Sequence, residues 1–268
     1  MRIPGRHFLR NLFAGRTLLF QLVRRDFRQR FVGSAAGWLW GLIQPIVLLA
    51  SYSFVFQVCL RMEPPPDAGT SNYTIYLFCG FLPWLLFQET VTRSASSLLE
   101  NASLITKTVF PSEIVPLAIF LSSLISHLLA LALVLAAVAI WGGGLSPMAV
   151  LLPVYMALLG LLAVGIGWIV SSLQVYLRDT AQMLVVVMTF WFWMTPIFID
   201  AAMIPPQLRF VVRWNPLAGI VQGYRERLLR PDLPGAGDLL LLAAVSASVF
   251  IAGGLFFRQL KRGFADVL

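Results

Sequence analysis

The chain has 268 residues, of which 59% are hydrophobic and only 12% are charged, and its mean hydropathy is +0.82. A water-soluble protein of this length could not bury so much apolar surface, so the composition excludes that class and predicts an integral membrane protein. The apolar runs are long and continuous instead of alternating, which predicts spans made of α-helices.

The net charge of +8 is carried almost entirely by arginine, since Lys107 and Lys261 are the only lysines. In a soluble protein such a charge would suggest binding to nucleic acid. Here the basic residues flank apolar runs, which favours a role in membrane orientation and in contacts with anionic lipid head groups. We therefore expect membrane lipids, and no nucleic acid, among the partners.

The segment from Arg24 to Pro45, RRDFRQRFVGSAAGWLWGLIQP, joins a basic amphipathic stretch to an apolar, tryptophan-rich one. The apolar face of the basic stretch, which holds Phe20, Val23, Phe27 and Phe31, predicts a helix that lies in the cytoplasmic membrane interface. We expect this interface helix to continue into the first span without a loop. The glycines Gly33, Gly37 and Gly41 recur at every fourth residue, which would expose backbone on one helix face for close contact with another helix.

Six apolar stretches hold close to the ~20 residues that an α-helix needs to cross ~30 Å of hydrocarbon. They cover approximately residues 38–60, 73–91, 114–141, 148–173, 181–199 and 239–257. An even number of spans places both termini on one side, and most of the basic residues fall on that side, so both termini are expected in the cytoplasm. The smaller outer group is Arg61, Arg209, Arg213, Arg225, Arg227 and Arg230. The chain is thus divided into a tail with an interface helix, residues 1–37, and a transmembrane domain, residues 38–268.

The connection between the fifth and sixth spans is long, and it contains five prolines between residues 200 and 238. An amphipathic stretch occupies residues 217–229. Such a segment can form short re-entrant or interfacial helices that plug the outer mouth of a pathway, or it can be a plain external loop. Composition alone leaves these two alternatives open.

Signatures of enzymatic chemistry are absent from the sequence. It contains no G-x-x-x-x-G-K-[ST] loop for ATP, no H-E-x-x-H metal motif and no G-x-S-x-G nucleophile motif, so no catalytic residue, cofactor or metal is expected. We interpret His127, in mid-span, as a helix–helix hydrogen-bonding residue in preference to a proton relay. Glu89 and Arg93 are spaced to pair on one helix. Because no acid is evident at mid-span, a transport function would need energy from another protein.

Two cytoplasmic segments have the character of docking elements, although each can also be an ordinary turn: residues 97–106 and the Arg178–Asp179 pair. Aromatic residues make up 13% of the chain, and several lie inside predicted spans. They can form lipid-facing belts, or they can line a pathway in which rings stack on sugars. The candidates for a pathway are Tyr52, Phe56, Trp84, Phe87, Phe190, Trp191 and Trp193.

Six segments together carry a resemblance to a known family. In chain order they are RRDFRQRFVGSAAGWLWGLIQP, FCGFLPWLLF, LITKTVFPSEIVPLA, YLRDTAQM, FWFWMTPIFI and WNPLAGIVQGYRE. In order and spacing they resemble the permease subunit of ABC exporters for lipid-linked polysaccharides, the family that exports O-antigen, capsule and teichoic acid chains. The resemblance covers approximately residues 22–261.

The resemblance implies an all-α integral membrane protein with six transmembrane helices, an N-terminal amphipathic interface helix, and short re-entrant helices between spans five and six. It implies a homodimer in the bacterial inner membrane that works with two separate ATPase subunits, which would bind ATP and magnesium. The substrate would be a lipid-linked glycan, O-antigen before capsule or teichoic acid. Its pathway would run between the protomers, beside spans one and five.

The resemblance also implies roles for individual residues. A cytoplasmic coupling helix within residues 96–110 would dock on the ATPase, with a second contact in the turn after span four; these residues are Glu100, Asn101, Lys107, Phe110, Arg178 and Asp179. The arginines of the interface helix, Arg24, Arg25, Arg28 and Arg30, would be candidates for holding the lipid pyrophosphate. A drug or small-lipid exporter of the same fold, a membrane-embedded transferase and a passive channel are the alternatives.

Overall fold

The computed structural model describes residues 16–30, 37–107, 110–142, 144–198 and 203–267. All regular elements in these ranges are helical, with no strand among them, which confirms the predicted all-α class. By length and composition, five helices in the described ranges can cross a membrane, and a further apolar helix, Thr180–Met194, is shorter. The chain is therefore a multi-pass membrane protein.

The α-helices are numbered in chain order over the described residues. They are α1 (Arg16–Gln29), α2 (Trp40–Ser53), α3 (Tyr73–Glu100), α4 (Ala102–Lys107), α5 (Ile114–Trp141), α6 (Leu152–Tyr176), α7 (Thr180–Met194), α8 (Arg209–Trp214), α9 (Pro216–Leu229), α10 (Ala236–Leu260) and α11 (Phe264–Val267). A π-helical segment, Phe54–Cys59, continues α2, and short 3₁₀ segments precede α2, α6 and α8.

The core is built around α3 and α6, which pack against each other along much of their length. Helix α5 packs on α3, α10 packs on α6, and α1 lies along α5. Helix α9 is wedged against α3 and α6. Trp84 on α3 and Trp168 on α6 are the largest fully buried side chains. Helices α2 and α7 make far fewer contacts and lie at the periphery.

Close packing between α6 and α10 depends on two glycines. A Cβ atom at Gly253 would lie 2.1 Å from the carbonyl oxygen of Gly165, and one at Gly165 would lie 2.7 Å from the carbonyl oxygen of Val249. No side chain fits at such distances, so only glycine lets these two backbones come together. Sequence patterning did not indicate this pair, because it joins two helices that are distant in the chain.

The predicted glycine face at the start of the first span is wrong at Gly37. This residue has a φ of +53°, which lies in the left-handed region and cannot belong to a continuous α-helix. A Cβ atom at Gly37 would meet nothing within 4 Å, so none of the described helices makes a close contact at this position. Helix α1 ends at Gln29 and α2 begins at Trp40, so the expected uninterrupted junction is also wrong. Gly33 lies outside the described residues, and Gly41 lies on α2.

The predicted fifth span ends earlier than expected. The apolar stretch continues to residue 199, but α7 ends at Met194. The cause is Pro196, which has no N–H group and disfavours helical geometry at the preceding residue. Thr195 accordingly has extended dihedrals, φ −96° and ψ 129°.

Replacing Gly253 by alanine is expected to lower the free energy of unfolding by about 1–3 kcal/mol, because the new methyl group would overlap the Gly165 carbonyl and force α6 and α10 apart. The measurement is thermal or SDS unfolding of the purified protein in detergent. Gly237→Ala, in the first turn of α10, is the matched control, since a Cβ atom there has nothing within 4 Å. Equal stability of the two variants would contradict the packing described above.

Candidate functional site

Arg225, on α9, forms a junction between three elements, which we call the carbonyl clamp. Its guanidinium donates to the carbonyl oxygens of Tyr76 at 3.3 Å, of Pro196 at 2.7 Å, and of Ile197. It also lies over the Tyr76 ring, 4.0 Å from the centroid. The side chain is buried, and Gly80 on α3 leaves the space that it occupies. The cation thus provides donors for carbonyl groups in the non-helical segment after α7.

Two further arginines hold the C-terminal end of α9. Arg227, which is fully buried, donates to the Glu226 carboxylate at 2.7 Å and to the carbonyl oxygen of Asp232. Arg230 pairs at 2.8 Å with Asp67, in the connection between α2 and α3. The Arg227 contacts are local to the end of α9, while the Arg230–Asp67 pair fastens α9 to the connection between α2 and α3.

A polar contact links α9 to the middle of α5. Tyr224 Oη and His127 Nε2 share a hydrogen bond of 3.2 Å, and both side chains are buried. Helix α5 has 28 residues, and His127 lies halfway along it. The interpretation of His127 as a helix–helix hydrogen-bonding residue is confirmed, with Tyr224 as its partner. The contact also shows that α9 reaches the level of the α5 midpoint.

Five aromatic rings form a cluster between α2, α3 and the segment after α7. Tyr52 lies edge-on to Phe81 and to Phe198, with centroid distances of 5.4 and 5.0 Å. Phe56 stacks on Phe198 at 4.5 Å. Phe192 lies edge-on to Phe81 at 6.0 Å and to Phe198 at 5.4 Å. Each such pair stabilises the fold by about 0.5–1.5 kcal/mol beyond the buried area.

Two of the aromatic residues predicted to line a pathway are internal. Trp84 and Phe87 are 1% and 0% exposed. Trp84 packs against Phe192, with centroids 5.2 Å apart, and Phe87 packs edge-on to Trp191, also at 5.2 Å. They present no surface to a pathway outside the protomer, because helix rotation turns this face of α3 towards the core.

The other predicted aromatic residues have accessible surface. Tyr52, Phe56 and Trp191 are half-buried, and the Trp191 indole donates to the Asn215 side-chain oxygen at 2.9 Å. Phe190 and Trp193 on α7 are 66% and 59% exposed. The exposed face of α7 and the neighbouring α2 therefore form an aromatic surface on one side of the protomer.

A network of charged residues joins α1 and the residue that follows it to α3 and α5. Arg30 pairs with Glu89 and donates to the Ser126 hydroxyl at 3.0 Å. Arg93 lies 2.6 Å from Asp26 on α1 and 3.7 Å from Glu89, which confirms the predicted Glu89–Arg93 pair. Burial lowers the pKa of the Arg30 guanidinium to about 10, with the nearby Arg93 contributing and Asp26 opposing the shift. Arg30 therefore stays charged at neutral pH.

The four arginines predicted to hold a pyrophosphate fall into different environments. Arg30 is part of the network just described, and Arg25 donates to the side-chain oxygen of Asn101. Arg24 and Arg28 are exposed on α1. The structure therefore does not bring the four guanidinium groups together at one point.

A crevice of about 530 Å³ lies between α2, α3 and the end of α1. Its lining combines polar and apolar side chains. The polar ones include Arg30, Gln44, Gln88, Glu89 and Thr92, and the apolar ones include Trp40, Leu48 and Leu85. A cavity with these two kinds of lining suits a ligand that has a polar head and an apolar tail.

The predicted coupling segment, residues 96–110, is divided between two helices. Helix α3 continues to the exposed Glu100, Asn101 follows it as the C-cap, and α4 has six residues. The Asn101 amide donates to the Ser97 carbonyl oxygen at 2.8 Å, while its oxygen accepts from Arg25 on α1. The start of α4 is thus attached to the interface helix.

The remaining predicted coupling residues lie at or just after the end of α4, or in the turn between α6 and α7. Lys107 is the last residue of α4, and its side chain lies outside the described residues. Phe110 is half-buried and packs against the core. Arg178 and Asp179 are exposed between α6 and α7, in a turn held by Gln174, which donates to the Arg178 carbonyl oxygen at 2.9 Å. Within the described part of the chain, no three His, Cys, Asp or Glu residues converge to hold a metal ion.

Arg225→Lys is expected to lower the free energy of unfolding by about 2–4 kcal/mol, because an ammonium group cannot reproduce the planar set of donors and buried carbonyl groups lose their partners. Unfolding of the detergent-purified protein measures this. The control is Arg213→Lys at an exposed position of α8, which should stay within about 0.5 kcal/mol of the parent protein. An unchanged free energy of unfolding in Arg225→Lys would show that the carbonyl clamp does not stabilise the fold.

Comparison with known proteins agrees with the resemblance noted from the sequence. The family model described as ABC-2 type transporter matches residues 17–229. The O-antigen export system permease protein RfbA of Myxococcus xanthus is 28% identical over 260 residues, which cover 96% of this chain and 98% of the relative. RfbA of Klebsiella pneumoniae is 28% identical over 253 residues, with 94% and 95% covered. The polysialic acid transport protein KpsM of Escherichia coli is 22% identical over 246 residues, with 88% and 91% covered. The chain belongs to the ABC-2 type transporter family.

Proposed function

We propose that the chain is the transmembrane subunit of an ATP-driven exporter that moves lipid-linked polysaccharide, O-antigen in the first place, across the bacterial cytoplasmic membrane. The observation that carries this proposal is the match to O-antigen export permeases over nearly the full length of both chains. The subunit binds no nucleotide, so the energy comes from two separate ATPase subunits that hold ATP and magnesium. The ABC-2 family match supports such a partner.

The proposed topology has six spans, with α7 as the fifth, and both termini in the cytoplasm. In this topology α8 and α9 form a re-entrant pair on the outer side. The Tyr224–His127 hydrogen bond supports the re-entrant arrangement, because it brings α9 to the level of the middle of α5. The buried Arg225 supports it too, since a surface loop has no need to cover a guanidinium group.

Two copies of the chain form the conduit, with α2 and α7 of each facing the other across it. Two observations support this arrangement: these two helices make few contacts within the protomer, and they carry exposed aromatic rings. Phe190 and Trp193 would face the passing glycan, and Tyr52, Phe56 and Trp191 would stand behind them. Sugar rings pack on aromatic faces through apolar C–H surfaces, so this lining tolerates many glycans.

The lipid pyrophosphate is held at the cytoplasmic side, between α1 and the crevice described above. Arg24 and Arg28 are exposed on α1 and can meet the charged head group first, with Arg25 beside them. Arg30 lines the crevice, and the apolar side chains that line it as well suit the start of the lipid chain. The ATPase docks on α4 and on the Arg178–Asp179 turn, and ATP binding shifts the spans by a rigid-body switch.

A capsule exporter of the same family is the second candidate. The observation in its favour is the similarity to KpsM, a polysialic acid transport protein, over 88% of the chain. The identity to KpsM is 22%, against 28% for the O-antigen export permeases, which is why we place O-antigen first.

Reconstitution decides between these functions. The chain is placed in liposomes with its ATPase, and transfer of lipid-linked O-antigen, lipid-linked capsule glycan and a small fluorescent lipid is followed with and without ATP. ATP-dependent transfer of the O-antigen substrate is expected. Transfer by the chain alone would refute the exporter and indicate a transferase or a channel, while transfer of only the small lipid would indicate a different exporter.

The double variant Phe190→Ala, Trp193→Ala is expected to lower the export rate by about tenfold, because two aromatic contacts of about 0.5–1.5 kcal/mol each are lost. The assay is the same liposome transfer, with ATP hydrolysis measured in parallel. Leu240→Ala is the control, since Leu240 on α10 is also strongly exposed but lies away from the proposed conduit. Unchanged export in the double variant would remove these two rings from the lining.

A further inference from the structure

We propose that the C-terminal segment after α10, residues 261–267, positions α4, with Phe264 and Lys261 as the positioning residues. The inference rests on the proposed function in one respect, the role of α4 as the contact with the ATPase. The claim that α4 is held by the C-terminal segment concerns this chain alone, and it can be tested without any partner.

Helix α4 cannot hold its place unaided. It has six residues, and an isolated helix of that length is unstable in water because too few hydrogen bonds form to offset the ordering of its backbone. Its orientation must therefore come from tertiary contacts. One contact is Asn101, before its first turn, which accepts from Arg25. Another is α11, which lies directly against α4.

Helix α11 is itself anchored by an aromatic side chain. Phe264 is 1% exposed and lies edge-on to Phe257 of α10, with centroids 5.4 Å apart. On its other side is the Tyr176 ring at the end of α6, 6.2 Å away. Tyr176 donates to the carbonyl oxygen of Leu260 at 2.8 Å, which also fixes the end of α10. The four-residue α11 is thus joined to the ends of two spans.

Lys261 makes the second attachment of the C-terminal segment. It pairs with Glu113, whose side chain is 4% exposed and lies at the N-cap of α5. Trp168 of α6 donates to the Glu113 carbonyl oxygen at 2.9 Å, so this residue is fixed on both its side chain and its backbone. Only a short stretch of chain separates Glu113 from Lys107 at the end of α4. The ion pair therefore fixes the start of the C-terminal segment, three residues before Phe264, to the N-terminal end of α5.

In this arrangement the C-terminal segment after α10 supports α4, the helix that we propose as the contact with the ATPase. A movement of α4 is transmitted to α6 and α10 through Phe264, and to α5 through Glu113. In the exporter this would let a displacement of α4 by the ATPase reach the spans as one rigid-body movement instead of being lost in local bending.

The test uses the full-length chain in lipid nanodiscs with a nitroxide label at Ser103→Cys, an exposed position of α4. The background is Cys59→Ser, because Cys59 is exposed and would also react, whereas Cys79 is buried. Phe264→Ala is expected to shorten the rotational correlation time of the label by about threefold, since α4 loses its support. Val267→Ala, which removes a 50% exposed side chain from α11, should leave the label unchanged.

The ion pair gives an independent variant in case Phe264→Ala does not fold. Lys261→Met leaves a buried carboxylate without its partner and should release the label to a similar extent. Adding Glu113→Gln removes that charge without rebuilding the attachment, so the label should stay mobile. A return to the parent spectrum would overturn the positioning role of the ion pair. An unchanged label in both Phe264→Ala and Lys261→Met, with helical content and thermal stability retained, would overturn the inference.

A second measurement separates the inference from the proposed function. In liposomes with the ATPase, Phe264→Ala should lower export per ATP hydrolysed by about fivefold while Val267→Ala does not. A mobile label combined with no ATP-dependent export by the parent complex would refute the exporter but leave the support of α4 in place. A label that stays immobile in the variants, with normal export, would refute the support and leave the exporter intact.

Discussion

The carbonyl clamp is the interaction on which the arrangement of α7 and α9 depends. Helix α7 stops at Met194, and the carbonyl groups of Pro196 and Ile197 beyond it lie outside any helix. In a membrane interior no water replaces helical hydrogen-bond partners, and each unsatisfied carbonyl group costs several kcal/mol. Arg225 supplies the donors, and because it also bonds to the Tyr76 carbonyl it holds α9 against α3. The Tyr224–His127 hydrogen bond and the ring contacts of Phe198 involve residues directly next to the clamp, so they depend on the position that it gives to α9 and to the segment after α7.

The helices divide into a tightly packed group and a loosely packed group. The first comprises α3, α5, α6 and α10, in which glycine contacts and buried tryptophans leave little freedom for movement. The second comprises α2 and α7, which have large exposed faces and few neighbours. A transport pathway needs surfaces that can separate and rejoin. In the proposed exporter the loosely packed helices would do so at low cost, while the rigid group would carry movement between the two sides of the membrane.

The sequence predicted elements that depend on local patterns and missed those that depend on tertiary contacts. The span over residues 114–141 coincides with α5, because hydrophobicity sets its length. The burial of Arg225 was not predicted, since its carbonyl partners lie in α3 and in the segment after α7, and no composition rule marks them. The positions of Trp84 and Phe87 were missed because rotation of a helix about its axis is set by neighbours, not by its own residues. The glycine spacing misled for a related reason: Gly37 has a left-handed backbone conformation, while Gly253 makes the close helix contact.

The early end of α7 has a consequence for the lipid as well as for the protein. With 15 residues the helix rises only about 22 Å, against about 30 Å for the hydrocarbon core of a bilayer. Bilayers adapt to a short hydrophobic helix by thinning around it, at a fraction of a kcal/mol per Å of mismatch. In the proposed topology, the thinned annulus would surround the part of α7 that lies outside the conduit, away from Phe190 and Trp193. A charged head group crossing beside this helix would meet a narrower hydrocarbon barrier than elsewhere, so the protein can ease the passage by deforming the membrane as well as by binding the substrate.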